Sequence, residues 1–109
     1  MVKNNESLIR TIDLHGYNLE DANKIIKIFI EKCYLNGINE INIITGKGSR
    51  SNAGNNPYTS KNLSILKYSV PDYISSDKEL MKKIKKIDFK DVNNLSKGSF
   101  VVFLKKLNI

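Results

Sequence analysis

The sequence predicts a two-layer α/β (α+β) domain, in which a mixed four-stranded sheet carries two helices on one face. Two apolar strand patterns flank a segment whose apolar residues recur at helical spacing. A second helical pattern follows a polar loop, and two further strand patterns with a short connection end the chain. The predicted order is β-α-β-α-β-β in a single domain, because 109 residues suffice for one hydrophobic core.

The first strand is predicted over residues 8–15, where apolar and polar residues partly alternate. Gly16 permits a tight exit from it. Asn18 is placed to cap the following helix, with Asp21 as the partner of a capping-box variant, and residues 36–37 (Asn-Gly) supply its end. The buried face of this helix is predicted to contain Ala22, Ile25, Ile26, Phe29 and Cys33.

The second strand, residues 41–44, is apolar enough to lie in the middle of the sheet. It follows the first strand after a helix, so the two strands should be parallel. A polar loop over residues 49–62 leads to a second helix that starts near Ser60 or Asn62, and Pro71 should end or kink this helix.

The last quarter of the chain predicts a β-hairpin. Ile84, Ile87 and Phe89 suggest a third strand, and residues 100–104 form a clear fourth one. A polar turn over residues 91–99 separates them. Because this connection is short, the two strands should pair antiparallel.

The positive charge of the chain is concentrated near its C-terminus. The formal net charge is +7, and residues 82–109 carry eight basic and two acidic side chains. Such a field attracts polyanions, which suggests nucleic acid as a partner. A plain solvated surface accounts for the same lysines equally well. The lysines considered for nucleic-acid binding are Lys82, Lys83, Lys85 and Lys86.

Composition argues against several other classes. Cys33 is the only cysteine, and no Cys or His cluster suggests zinc, so we expect no disulfide, metal or cofactor. No apolar run is long enough to span a membrane, and the N-terminus does not resemble a signal peptide. A cytoplasmic protein without membrane association, monomeric by default, is the expectation.

Polar residues follow the first two predicted strands at what should be one edge of the sheet. Residues 13–16 read Asp-Leu-His-Gly, and residues 45–48 read Thr-Gly-Lys-Gly. Asp13 and His15 share a face of the strand, so the carboxylate can orient the imidazole for proton transfer. Lys47 and Arg50 offer cationic groups to a phosphate. A structural histidine and an ordinary glycine turn remain the alternative interpretation.

These motifs together resemble the Smr (small MutS-related) domain family. The resemblance rests on Asp-Leu-His-Gly, the Glu-Asp-Ala helix start, Gly37, Ile-Ile-Thr-Gly-Lys-Gly and the later Leu66-Lys67 and Val70-Pro71 pairs. It assigns residues 11–109 to the domain and leaves 1–10 as an extension that includes the start of the first strand. The resemblance implies a fold similar to the C-terminal domain of bacterial translation initiation factor three.

The resemblance also implies the cleavage or nicking of nucleic acid, DNA in some members and RNA in others. It places the catalytic groups at Asp13, His15 and Lys47. Many members have a histidine where this chain has threonine, and their C-terminal Gly-Gly-x-Gly pattern is reduced here to residues 97–99 (Lys-Gly-Ser). The phosphate-binding residues would be Gly16, Thr45, Gly46, Gly48 and Arg50.

The hypothesis from sequence is therefore an endonuclease that uses no metal, with His15 as base, Asp13 as its orienting group and Lys47 as a charge stabiliser. Two other classes stay open. One is a non-catalytic module that binds nucleic acid or the ribosome, and the other is a protein-interaction domain with an incidental basic tail.

Overall fold

A computed structural model describes residues 9–47 and 66–106. Within these ranges it contains a four-stranded mixed sheet with helices packed on one face, which confirms the predicted fold class. The elements are β1 (Ile9–Asp13), α1 (Leu19–Leu35), β2 (Glu40–Ile44), α2 (Leu66–Ser76), α3 (Lys78–Met81), β3 (Ile84–Ile87), α4 (Phe89–Val92) and β4 (Ser99–Leu104).

The strands lie in the order β1-β2-β4-β3. The pairing of β1 with β2 is parallel, whereas β4 is antiparallel to both β2 and β3. The C-terminal ends of β1 and β2 therefore lie at the same edge as the start of β4. This confirms the parallel β1–α1–β2 unit, the central place of β2 and the antiparallel pairing of the last two strands.

The two faces of the sheet differ in burial. Ile41 and Ile43 of β2 and Phe100 and Val102 of β4 are at most 1% exposed, and they form one core with the helices. On the other face the side chains of β2 and β4, such as Phe103, keep intermediate exposure. The helices thus cover one face, and the opposite face stays partly open among the described residues.

Both ends of α1 follow the predicted chemistry. Asn18 Oδ1 accepts from the backbone N–H of Asp21 at 2.8 Å, and the Asp21 carboxylate accepts in return from the Asn18 side-chain amide at 3.3 Å. At the other end Gly37 has a φ of 77°, and the N–H of Ile38 donates to the Cys33 carbonyl at 2.9 Å. This is a Schellman ending, in which glycine supplies the left-handed residue.

The predicted buried face of α1 is confirmed in its centre and changes at its edges. Ala22, Ile26 and Cys33 are buried, while Ile25 and Phe29 are only partly buried against the same core. The fourth buried position, Ile30, was not predicted.

Some boundaries differ from the prediction. The strand β1 ends at Asp13, because the next residues enter a turn in which the N–H of Tyr17 donates to the Leu14 carbonyl. Phe89 does not extend β3; instead Asp88 caps α4 by accepting from the N–H of Lys90 at 3.1 Å. The expected polar turn over residues 91–99 is therefore helical at its start.

The second helix continues through Pro71 to Ser76. Pro71 is fully buried and packs in the core, so apolar contact helps to offset the hydrogen bond that its missing N–H cannot make. The predicted loop over residues 49–62 and the predicted start of this helix lie outside the described residues. None of the helices in the described ranges is long and apolar enough to cross a membrane.

Candidate active site

Three segments meet at the edge of the sheet where β1 and β2 end and β4 begins. The N–H of Leu14 donates to the Ile44 carbonyl at 2.7 Å, which continues the β1–β2 pairing by one residue. The N–H groups of Thr45 and Gly46 both donate to the Gly98 carbonyl, at 2.8 and 3.0 Å. The residues after β1, those after β2 and those before β4 thus form one continuous backbone network.

The acid–imidazole pair predicted from sequence is formed. His15 Nδ1 lies 2.7 Å from Asp13 Oδ1, and the same oxygen accepts from the His15 backbone N–H at 3.0 Å. The side chains are 69% and 51% exposed for His15 and Asp13, respectively, so solvent or a substrate can reach both. These two hydrogen bonds from His15 lower the pKa of the Asp13 carboxyl from its ordinary value of 3.8.

This geometry selects the tautomer of the imidazole. An ionised carboxylate only accepts hydrogen bonds, so Nδ1 of His15 carries the proton and donates it to Asp13. The lone pair of the neutral ring then lies on Nε2. His15 is therefore oriented as a base whose acceptor nitrogen is separate from its carboxylate partner.

The turn after β1 presents His15 to solvent. The Tyr17 N–H donates to the Leu14 carbonyl at 3.2 Å, which places Gly16 at the third position of a β-turn. Gly16 has a φ of 92° there, a value that glycine adopts at little cost and other residues rarely adopt.

The loops after β1 and β2 touch each other. A Cβ atom added to Gly46 would lie 3.8 Å from His15 Cβ, an ordinary contact distance, although the φ of 90° at Gly46 disfavours a side chain. Lys47 follows directly and is exposed. The sequence predicts that residues 13–16 and 45–48 share one edge of the sheet, and the structure confirms this for the described residues 13–16 and 45–47.

Gly98 is a site residue that the sequence reasoning did not select. A Cβ atom there would approach the Gly46 carbonyl carbon to 3.1 Å and the Lys47 nitrogen to 3.2 Å. These distances are too short for a side chain without movement of the backbone. The reduced glycine pattern at residues 97–99 was the signal that could have identified it.

A buried lysine holds the segment that carries Gly98. Lys67 is only 2% exposed, and its Nζ donates to the carbonyls of Asn94 and Lys97 at 2.8 Å each and to that of Asp91 at 3.4 Å. Burial lowers the pKa of the Lys67 ammonium, and the nearby Asp91 carboxylate opposes this effect. The family resemblance contained this residue, but nothing in the sequence indicated its contacts.

The phosphate-binding role predicted for the glycine loop stays a prediction, but two backbone donors of this loop are engaged within the protein. The N–H groups of Thr45 and Gly46 are engaged by the Gly98 carbonyl, so they are not available to a substrate. Thr45 itself is 7% exposed, and its hydroxyl donates to the Gly46 carbonyl at 3.1 Å. Of this loop, the Lys47 N–H is the backbone donor that has no acceptor among the described residues.

The remaining predicted binding residues fall into two groups, one outside the described residues and one at the far end of the sheet. Gly48 and Arg50 lie outside the described residues. Two of the predicted lysines precede β3 and two lie within it, and all four are beside the far end of β4, since β3 pairs with the residues from Val102 to Leu104. These are Lys82, Lys83, Lys85 and Lys86.

The cysteine thiol and the possible metal ligands of the described residues do not add a second reactive site. Cys33 is buried in the core, and burial raises the pKa of its thiol, which agrees with the structural role predicted for it. In residues 9–47 and 66–106 no group of three or more His, Cys, Asp or Glu side chains is close enough to hold a metal ion.

Comparison with known proteins agrees with the motifs at this site. The family model described as the Smr domain matches residues 12–105. Endonuclease MutS2 of Finegoldia magna is 29% identical over 103 residues, which cover 94% of this chain and 11% of that protein. Endonuclease MutS2 of Acetivibrio thermocellus is 41% identical over 44 residues, which cover 40% of this chain and 6% of that protein.

No solved structure matches the chain significantly. The chain spans about a tenth or less of the length of these curated relatives, 11% and 6%. The similarity therefore concerns one domain and not the complete relatives. Because the family match runs over residues 12–105 of 109, the chain belongs to the Smr domain family.

Proposed function

We propose that this Smr domain binds nucleic acid and cleaves its phosphodiester backbone, with His15 as general base. The observation that carries the proposal is the 2.7 Å contact between His15 Nδ1 and Asp13 Oδ1 on an exposed turn. It orients the ring and leaves Nε2 to take a proton from a substrate. Both relatives are named endonuclease MutS2, which supports the same reaction class.

On RNA, the reaction begins with transfer of the 2′-hydroxyl proton to Nε2 of His15. The 2′-oxygen forms a bond to phosphorus, and the bond from phosphorus to the 5′-oxygen breaks. The products are a 2′,3′-cyclic phosphate and a 5′-hydroxyl end. The exposed Lys47 ammonium and the Lys47 N–H are the groups in the loop after β2 that can stabilise the negative charge at phosphorus.

The leaving 5′-oxygen needs a proton, and the site offers no second imidazole for it. Thr45 occupies the corresponding position, where its side chain is buried and its hydroxyl is directed to the Gly46 carbonyl. Water or the Lys47 ammonium would supply the proton. We therefore expect slow turnover.

The buried threonine and the lack of a second imidazole favour a second candidate function, a module that binds nucleic acid without cleaving it. A site with one acid–base group and a buried threonine can retain backbone binding after the loss of catalysis. The two candidates differ only in whether a bond is broken, so one experiment separates them.

The experiment compares wild type, His15→Ala and Asp13→Asn on end-labelled RNA and DNA, with and without chelator, measuring binding and cleavage in the same samples. Asp72→Asn, which removes an exposed carboxylate from α2, is the control. We expect His15→Ala to reduce RNA cleavage by a factor of about 10² to 10⁴ with binding retained. Asp13→Asn should cause a smaller loss, since it removes the orienting group only.

Cleavage that is unchanged in His15→Ala would contradict the catalytic proposal. Binding without cleavage by any variant would favour the binding module instead. If neither RNA nor DNA binds in a salt-dependent manner, both candidates fail and a protein-interaction role takes their place.

A further inference from the structure

A basic groove lies at the end of the sheet opposite to the Asp13–His15 pair. It is lined by Lys85 and Lys86 of β3, by Phe103 of β4 and by Lys105 and Lys106 directly after β4, and Glu40 is its one carboxylate. All four lysines are exposed. The groove brings together two lysine pairs that are about twenty residues apart in sequence, because β3 and β4 are antiparallel neighbours.

The groove is built on a row of residues that crosses three strands. Glu40 of β2 pairs with Phe103 of β4, and Phe103 pairs with Lys86 of β3. Lys86 Nζ lies 5.9 Å from the centre of the Phe103 ring, within the range of a cation–π contact. The N–H of Lys105 donates to the Lys83 carbonyl at 2.9 Å, which holds the residues after β4 against β3.

Ion pairs within the described residues do not neutralise the positive charge of the groove. Among the described residues, none of its four ammonium groups forms an ion pair, although Lys82 pairs with Glu79 and Lys97 with Asp91 nearby in sequence. Four ammonium groups beside one carboxylate create a field that a polyanion can neutralise. The partly exposed Phe103 ring adds a surface on which a base can stack.

The distance to the acid–imidazole pair follows from strand geometry. The pair lies near Ser99 at the start of β4, while the groove lies beside Phe103 and the residues after it. Six residues of strand correspond to roughly 20 Å.

We propose that the basic groove of Lys85, Lys86, Lys105 and Lys106 is a second contact for the phosphate backbone of the nucleic acid, at the far end of the sheet from Asp13 and His15. This inference rests on the proposed binding of nucleic acid. It adds that one strand must reach across the sheet to occupy both sites. Binding should therefore depend on the length of the strand, and a short ligand should reach only one end.

The first test measures how binding of a single strand of about 16 nucleotides depends on salt between roughly 50 and 200 mM. DNA and 2′-O-methyl RNA serve as probes, because neither has a free 2′-hydroxyl for the proposed reaction. Lys86→Gln/Lys105→Gln should lower the slope of log K against log salt by about 1.4, at about 0.7 for each lost contact. The control Lys24→Gln/Lys32→Gln removes the same charge from the exposed side of α1.

If the slope falls equally in both double variants, net charge alone explains the change, and the proposed contact at the groove is contradicted. A slope that falls in neither would contradict it as well. Folding of each variant is checked by its far-UV circular dichroism and thermal unfolding midpoint, and these lysines are exposed enough that both should match wild type.

The second test is chemical-shift mapping of the ¹⁵N-labelled domain with the same strand and with a dinucleotide, which carries a single phosphodiester group. The long strand should shift the amides near Lys86 and Lys105 together with those near His15. Shifts near His15 alone would overturn the second contact and leave the proposed function standing. No shift at either end would overturn the proposed function itself.

Discussion

Lys67 links the core of the domain to the loop that completes the candidate site. Its side chain leaves α2 inside the protein, and the ammonium group satisfies three backbone carbonyls between Asp91 and Lys97. The carbonyl of the next residue, Gly98, accepts hydrogen bonds from the N–H groups of Thr45 and Gly46. Burying the Lys67 ammonium costs desolvation free energy. Its role in positioning the loop before β4 accounts for the presence of a buried lysine here.

We predict that Lys67→Met lowers the free energy of unfolding by about 3 kcal/mol, because it removes the buried ammonium that donates to three backbone carbonyls. Lys97→Met is the matched control: its side chain is half exposed and makes one ion pair with Asp91, so it should cost less than about 1 kcal/mol. Urea unfolding measures both values.

Hydrogen exchange separates positioning from general destabilisation. In Lys67→Met the amides of Thr45 and Gly46, which depend on the Gly98 carbonyl, should lose more protection than the amides of Ile43 and Val102 in the centre of the sheet. A uniform loss of protection across these amides would show that Lys67 stabilises the fold without specifically holding the loop.

At the level of elements, Asp77 joins three helices. It follows α2, and its Oδ1 caps α3 by accepting from the N–H groups of Glu79 and Leu80 at 2.9 and 3.1 Å. Its Oδ2 accepts from Lys27 Nζ of α1 and from the Tyr73 hydroxyl of α2, both at 3.3 Å. One carboxylate therefore caps a helix of four residues and ties it to the helical layer.

Burial opposes the ionisation of Asp77, but the N–H of Leu80 and the ammonium of Lys27 outweigh it, so its pKa is lowered from 3.8. A carboxyl with a lowered pKa stabilises the fold above its unfolded pKa, and this stabilisation is lost as pH falls through the folded value. Asp77→Asn keeps a capping side chain and removes the charge.

We predict that wild type is more stable than Asp77→Asn by about 1 kcal/mol at pH 7, and that this difference is lost as the pH falls through the lowered pKa of the Asp77 carboxyl. Urea unfolding at several pH values measures it, with Asp72→Asn on the exposed side of α2 as the control. An advantage of wild type that persists unchanged at low pH would contradict the assigned role of the charge.

For the molecule as a whole, the length of β4 separates the acid–imidazole pair from the basic groove. Its start adjoins the acid–imidazole pair, and its end adjoins the basic groove. Within the described residues the positive charge is thus not spread evenly, because four lysines without an ion pair lie together at one end of the sheet. Affinity and bond cleavage should consequently respond to different substitutions.

If the proposed cleavage occurs, Lys86→Gln/Lys105→Gln should raise KM for a long RNA by roughly threefold to tenfold with kcat unchanged. His15→Ala should lower kcat and leave the dissociation constant unchanged. On a dinucleotide, whose single phosphodiester group can occupy only one end of the sheet, the groove variant should match wild type. A fall in kcat of the groove variant on that short substrate would show that the groove also affects bond cleavage. It would contradict the proposal that the groove contributes to affinity alone.

The sequence predicted much of the site, but not its supporting contacts. Asp13 and His15 are two residues apart, so their contact depends on local geometry that the sequence motif reveals. Gly98 and Lys67 act through contacts with residues 20 or more positions away in the chain. Such contacts leave no local pattern, and a lysine in particular is expected on the surface.

The sequence by itself determined the local architecture. This comprises the capped helix α1, the apolar strands, the order of these elements along the chain and the acid–imidazole motif. Hydrophobic periodicity and capping chemistry act between near neighbours, so they can be recognised without a structure. The tertiary structure alone decided which backbone donors are occupied, which lysine is buried and where the C-terminal charge lies. These features depend on strand pairing across the sheet, which joins the Thr45 and Gly46 amides to Gly98 and carries Lys85 and Lys86 to the opposite end.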